Sequence, residues 1–96
     1  MDIANLLEQR HFDPAKMQKN PVFETDKMFI DQYCLMPGQA QKVHSHGSED
    51  KVYIVLEGTA TVHIGGEERE LESMQAAIAR AGTEHGVRNA TEEPLV

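Results

Sequence analysis

The sequence contains no tryptophan, a single cysteine and few aromatic residues of any kind. The one thiol, Cys34, cannot form a disulfide within the chain, which favours a reducing compartment and a buried free thiol. No apolar run approaches the roughly 18 residues needed to span a bilayer, and the first residues lack the basic and apolar segments of an export signal. We therefore expect a cytoplasmic protein that does not enter a membrane.

Basic residues are also scarce. Nine Lys and Arg residues stand against 16 Asp and Glu residues, which gives a formal net charge of -7. A charge of this sign repels phosphate backbones and anionic membrane surfaces. We expect neither nucleic acid nor a membrane surface as a partner.

The chain is long enough for one domain and one modest core. It has 96 residues, of which 40% are hydrophobic, an ordinary share for a globular domain. Residues 1–20 are expected to form an N-terminal arm, with a short helix near Leu6 behind a cap at Asp2 and then a turn. Residues 21–96 are expected to form the folded domain.

Short apolar segments separated by glycine turns fill that domain, which predicts an all-β protein, an antiparallel barrel or jelly roll. The predicted strands cover residues 22–23, 27–36, the stretch around His44, and residues 51–57, 59–64, 67–71 and 76–79. Gly65-Gly66 joins two of them in a tight hairpin. Residues 93–96 resemble the opening of a last strand, so the sequence leaves open whether the chain is truncated or a neighbouring subunit closes the barrel.

The strand at residues 51–57 has two different faces. Lys51, Tyr53 and Val55 alternate with Val52, Ile54 and Leu56, and alternation alone would bury the second, aliphatic set.

Two histidines one residue apart are the clearest chemical signal. In an extended strand, His44 and His46 project from the same face with their Cα atoms about 6.6 Å apart, a distance from which both imidazoles can bind one metal ion. By themselves they are a weak signal, since such a pair also occurs on polar strand faces. His63 and His11 are interpreted as surface residues without a role in a site.

The neighbours of this pair resemble the first motif of the cupin superfamily, G-x5-H-x-H-x(3,4)-E-x6-G. Gly38 is followed after five residues by His44 and His46, and Gly58 takes the final glycine position. Gly82, His85 and Asn89 match the latter half of the second cupin motif, G-x5-P-x-G-x2-H-x3-N.

The resemblance implies an RmlC-like cupin fold, an antiparallel double-stranded β-helix or jelly-roll barrel behind the N-terminal arm. It also implies that His44, His46 and His85 are the ligands of a divalent transition metal such as Fe, Mn, Ni or Zn. The family pattern turns the Lys51 face toward the barrel interior, against the simple alternation argument. Cupins commonly pair through apolar faces. The two mostly apolar faces of residues 27–36, together with the face formed by Val52, Ile54 and Leu56, predict a homodimer.

The sequence departs from the family at three positions. Lys51 occupies the place of the family's glutamate ligand, and Met74 and Arg80 replace a glycine and a proline. A charged Lys51 pointing at a metal ion would repel it, so either the side chain turns away to pair with Glu49 or Asp50, or the amine is deprotonated, or no metal binds. We favour the first, with Asp50 or Glu49 as a substitute for the missing ligand.

Three functions are compatible with these residues. The first is a metal-dependent enzyme of the dioxygenase, isomerase or decarboxylase type that acts on a small organic molecule. The second is a non-catalytic protein that binds a small molecule at a degenerate metal site. In the third, Lys51 reacts as an imine-forming amine. The sequence names no substrate.

Overall fold

A computed structural model describes residues 1–45 and 47–96, and the regular structure in this part of the chain is entirely β-strand. The eight strands are β1 (Gln18–Glu24), β2 (Phe29–Cys34), β3 (Ala40–His44), β4 (Lys51–Ile54), β5 (Ala60–Ile64), β6 (Glu67–Leu71), β7 (Ala76–Ala79) and β8 (His85–Arg88). Among the described residues no helix is long and apolar enough to cross a membrane.

The strands form three antiparallel sheets. The largest has the order β3-β8-β5-β6, and the pairs β1-β2 and β4-β7 form two smaller sheets. The predicted hairpin is confirmed, because β5 and β6 pair in register around Gly65, which has the positive φ of 62° that a tight turn requires. The all-β antiparallel prediction is therefore correct.

The core lies between the sheets and is built from small and medium aliphatic side chains. Val62 of β5 pairs directly with Val87 of β8, and both side chains are buried. The buried cluster consists of Leu35, Tyr53, Val55, Ala60, Val62, Val87 and Leu95. Removing this apolar surface from water is the main favourable contribution to folding.

Strand β4 turns its mixed face inward. Tyr53 and Val55 are 8% and 3% exposed, whereas Val52 and Ile54 are 55% and 60% exposed. The alternation argument is therefore wrong and the family pattern is correct, because within residues 1–45 and 47–96 no second layer covers the outer face of the β4-β7 sheet. The same inward face carries Lys51.

The N-terminal arm contains one turn in place of the predicted helix. The side-chain oxygen of Asn5, not that of Asp2, accepts hydrogen bonds from the backbone N–H groups of Leu7 and Glu8. A single turn without a following apolar stripe has too few hydrogen bonds to propagate as a helix. The side chain of Gln32 holds the arm against the sheets by donating to the Leu6 carbonyl at 2.7 Å.

The last residues of the chain close the fold. Leu95 pairs with Leu35, and Val96 exchanges backbone hydrogen bonds with Glu57, at 3.0 and 3.2 Å. Asn89 fastens this segment from inside, because its buried amide donates to the carbonyls of Leu35 and Glu93. These contacts all join residues of the same chain.

The close approach of Gly58 to this segment gives a stability prediction. Gly58 has φ 85°, and a Cβ there would overlap the Pro94 carbonyl oxygen and lie 3.2 Å from Leu95 Cα. Gly38 has a similar φ of 82° with open space around it. We expect Gly38→Ala to cost about 1 kcal/mol from backbone strain alone. Gly58→Ala adds displacement of the closing segment and should cost about 3 kcal/mol or more.

Urea denaturation of the two variants separates these effects, since each carries the same substitution at nearly the same backbone conformation. Equal losses of stability would mean that the contact with residues 94–95 contributes nothing.

Candidate functional site

Two of the three predicted metal ligands meet at one end of the large sheet. His44 is the last residue of β3 and His85 the first residue of β8, and the two are directly paired in the sheet. The register of the β3-β8 pair shifts between Gln41 and His44, so the regular pairing is interrupted just before His44. The imidazole centroids lie 4.5 Å apart with the ring planes at 61°. His85 is buried and His44 is partly exposed.

Backbone carbonyls fix the orientation of both rings. Nδ1 of His44 lies 2.8 Å from the Lys42 carbonyl oxygen, and Nδ1 of His85 lies 2.9 Å from the Thr83 carbonyl oxygen. A carbonyl can only accept, so each Nδ1 carries the proton, and in a neutral ring the lone pair is on Nε2. This carbonyl support is usual for histidines that bind metal through Nε2. The donor set therefore fits a divalent transition metal.

The third predicted ligand, His46, lies outside the described residues. Within residues 1–45 and 47–96, no group of three His, Cys, Asp or Glu side chains could hold a metal ion. The structure thus brings together His44 and His85, and the assignment of all three histidines stays a prediction.

The Lys51 side chain does not turn toward Glu49 or Asp50, so the favoured interpretation of this residue was wrong. Its ammonium donates to the Tyr33 hydroxyl at 2.7 Å and to Gln41 Oε1 at 3.2 Å. The reason is geometric, since β4 turns the Lys51 face inward, where acceptors on β2 and β3 are within reach of the side chain.

Two tyrosine rings flank the same ammonium. Lys51 Nζ lies 4.8 Å from the ring centroid of Tyr33 and 4.9 Å from that of Tyr53, close enough for cation–π attraction. Burial lowers the pKa of Lys51 to about 8, and burial also raises the pKa values of both tyrosines. At neutral pH the amine is therefore mostly charged and both hydroxyls keep their protons.

The two acids that precede Lys51 in sequence are Asp50, which binds a backbone group, and Glu49, which is exposed to solvent. Asp50 Oδ1 accepts the backbone N–H of Ala81 at 2.8 Å and so ties down the turn after β7. Glu49 is exposed. Their predicted role as substitute ligands stays a prediction.

Tyr53 connects the lysine to the histidines. Its ring centroid lies 6.2 Å from that of His85 in an edge-on arrangement and 4.9 Å from Lys51 Nζ. Tyr33 and Gln41 were missed by sequence reasoning, because they are far from Lys51 along the chain and only strand packing brings them together. Tyr53 had a local signal, as it shares a strand face with Lys51.

The other histidines are elsewhere. His63 lies on the outer face of the large sheet beside a groove of about 200 Å³, where its Nε2 is 3.0 Å from Glu84 Oε1. His11 is exposed in the arm. Asn89, the last residue of the second motif, binds backbone groups and has a structural role.

Comparison with known proteins now identifies the fold family. Residues 32–96 match the Cupin domain family. This chain belongs to that family. The double-stranded β-helix expected from the resemblance is thereby confirmed.

Two solved structures are similar to this chain over nearly its whole length. The protein TT1209 from Thermus thermophilus is 48% identical, with a TM-score of 0.96 over 99% of this chain and 90% of that one. An RmlC-like cupin protein from Desulfovibrio desulfuricans is 30% identical, with a TM-score of 0.86 over 99% of this chain and 92% of that one.

A curated relative matches a shorter stretch. The tetracenomycin polyketide synthase protein TcmJ of Streptomyces glaucescens is 33% identical over 61 residues, or 64% of this chain. The matched stretch is 41% of the length of TcmJ.

The lowered pKa of Lys51 predicts a pH-dependent stability. An unfolded lysine has a pKa of 10.5, so between about pH 8 and this value the unfolded chain keeps a proton that the folded chain has lost. The penalty for burying the ammonium is fully present below this window, and stability rises as the pH increases through it.

We expect the free energy of unfolding to increase more between about pH 7 and about pH 9 in the wild type than in Lys51→Met, measured by urea denaturation. Lys27→Met, which removes an exposed lysine, is the matched control and should behave like the wild type. The same pH dependence in all three proteins would contradict burial of the Lys51 amine.

Proposed function

We propose that this cupin binds a divalent transition metal through His44, His46 and His85 and acts on a small organic molecule at that centre. The observation that carries the proposal is the His44–His85 pair, in which two adjacent imidazoles each donate Nδ1–H to a backbone carbonyl. A surface histidine needs no such support, whereas a ligand whose orientation must be held does.

The bound metal, Fe, Mn, Ni or Zn, would supply Lewis-acid or redox chemistry of the kind used by dioxygenases, isomerases and decarboxylases. The residues of this chain supply the rest. Tyr53 forms one wall beside His85, and Lys51 places a positive charge next to that wall. The similarity to a polyketide synthase protein fits an organic substrate of low molecular mass.

The second candidate function is small-molecule binding without turnover. Lys51 supports it, because an ammonium in the family's glutamate position cannot ligate a metal and repels one nearby. In this case the interior would recognise its ligand through the lysine, the tyrosines and the histidines alone.

The metal proposal predicts that the three histidines act as one site. His44→Ala, His46→Ala and His85→Ala should each weaken binding of Ni²⁺ or Mn²⁺ by about 100-fold or more, since each removes one of few ligands. Because a protonated imidazole cannot ligate, affinity in the wild type should also fall as the pH decreases through about 6.5.

Isothermal titration calorimetry measures both effects, with His63→Ala as the control for a histidine outside the site. A histidine variant that retains full affinity would show that its residue is not a ligand. A wild type that binds neither metal would favour the second function.

We further propose that the protein is a homodimer and functions in the cytoplasm. Val52 of β4 pairs with Ile78 of β7, and together with Ile54 these side chains form an apolar outer face in which each member is 43–60% exposed. A second copy can cover this face by two-fold symmetry, which brings two apolar surfaces together and removes both from water. The buried thiol of Cys34 fits a reducing compartment.

The homodimer predicts a mass of twice 10.7 kDa in sedimentation equilibrium at micromolar concentration. Ile54→Lys should shift the protein toward the monomer, because an interfacial lysine would lose its hydration. Ile3→Lys, at an exposed position of the arm, should leave the mass unchanged. A monomeric wild type would show that the β4-β7 face is not an interface between copies.

A further inference from the structure

The hydrogen bonds around Lys51 have a defined direction. Gln41 Oε1 accepts from Lys51 Nζ at 3.2 Å and from the Tyr53 hydroxyl at 3.3 Å, while Gln41 Nε2 donates to the Tyr33 hydroxyl at 2.7 Å. The ammonium determines this orientation of the carboxamide, since an amide nitrogen in place of Oε1 could not accept from it.

In this arrangement Gln41 Oε1 and the Tyr33 oxygen each accept two hydrogen bonds, while some donors of the cluster are not used. The Tyr33 oxygen accepts from both Lys51 and Gln41, so its own O–H must point away from both. The ammonium has three N–H donors, and two of them point at Tyr33 and Gln41. One hydroxyl donor and one ammonium donor, on adjacent atoms 2.7 Å apart, therefore take no part in these hydrogen bonds.

The ammonium of Lys51 has no directly bound counter-charge in the described part of the chain. Asp31 and Lys19 act on its charge with opposite signs from beyond ion-pair distance, and these two are paired with each other at 3.6 Å. Within residues 1–45 and 47–96, no ion pair joins Lys51 to an acidic side chain, although the chain has 16 acidic residues. The flanking acid Asp50 is bound to the Ala81 backbone. The Lys51 ammonium is thus a half-buried cation that contacts aromatic rings and neutral acceptors which already accept other hydrogen bonds. Such a cation attracts an anion, and an anion with two acceptor atoms can bind both the ammonium and the neighbouring hydroxyl.

We propose that the Lys51 ammonium and the Tyr33 hydroxyl bind the carboxylate of a small organic acid inside the barrel. One carboxylate oxygen accepts from the ammonium and the other from the hydroxyl, a spacing that a carboxylate matches because its two oxygens are about as far apart as two neighbouring donors. The tyrosine rings form apolar sides for the remainder of the molecule. The proposal rests on the proposed function for the interior as the place where a small molecule binds, and it narrows that molecule to an anion.

The position of this carboxylate site, formed by Lys51 and Tyr33, agrees with such a role. Tyr53 contacts Lys51 on one side and His85 on the other, so an acid held by Lys51 and Tyr33 extends along the Tyr53 ring toward the histidines. The lysine thus binds and positions the ligand, and the chemistry belongs to the histidine end.

The test uses metal-free protein, so that it does not depend on the histidine centre. Acetate and acetamide have nearly the same shape and differ in charge. We expect acetate, titrated at about pH 7 and followed by amide chemical shifts, to perturb residues of β2, β3 and β4 with saturation, and acetamide to bind at least about tenfold more weakly. The pKa of the Lys51 amine, followed by NMR at its Cε, should rise when acetate is bound, because an anion favours the charged form.

Two variants and one control test whether acetate binds at Lys51 and Tyr33. Lys51→Met, which keeps an unbranched side chain and removes the ammonium, should weaken acetate binding by about tenfold or more, and Tyr33→Phe, which keeps the ring, should weaken it by about fivefold. Lys27→Met should have no effect. Amide spectra of each variant verify that it is folded, and Tyr33→Phe keeps the charge, so it tests the site even if Lys51→Met fails to fold.

Equal binding of acetate and acetamide, or full affinity in Lys51→Met and Tyr33→Phe, would overturn the proposal. The metal proposal fails separately, through unchanged metal affinity in the histidine variants. A protein that binds acetate at Lys51 and no metal would retain the carboxylate site and lose only the metal centre.

Discussion

A positive charge held inside a β-barrel is the constraint on which the interior of this protein depends. Lys51 is half-buried and forms no ion pair with an acidic side chain in the described chain, and two tyrosine rings, a hydroxyl and a carboxamide stabilise it. These groups satisfy an ammonium only partly, since cation–π contacts and neutral acceptors are weaker than a carboxylate. Burial of the amine without full replacement of its hydration also lowers its pKa.

The barrel supplies the rigidity that such a cluster requires. Tyr33, Gln41 and Lys51 come from three strands that belong to three different sheets. Their contacts persist only if those sheets keep their positions, and the core between the sheets, together with the buried amide of Asn89, holds them there. Core packing therefore fixes the relative positions of the three side chains, as a rigid scaffold commonly does for the functional side chains that it carries.

The departures from the family pattern have different structural meanings. Met74 stands at a glycine position and has φ 71°, so the backbone there keeps the left-handed conformation although the residue is not glycine. That substitution stores strain in an exposed turn. The replacement of glutamate by Lys51 instead changes the interior from a site with an anionic ligand to one with a cation. Of these two departures, only the second alters what the barrel can bind.

The sequence by itself determined the fold class, the Gly65-Gly66 hairpin and the proximity of His44 to His85. Turn residues and strand patterns are local, and the two histidine motifs are specific enough to imply their meeting. The alternation of residues within β4 did not determine which of its faces is buried, because that depends on how the sheets pack against one another, and only the family pattern predicted it. Tertiary structure decided that Lys51 binds Tyr33 and Gln41 rather than its neighbours in sequence, since side-chain partners across strands follow from packing and register, which no short stretch of sequence encodes.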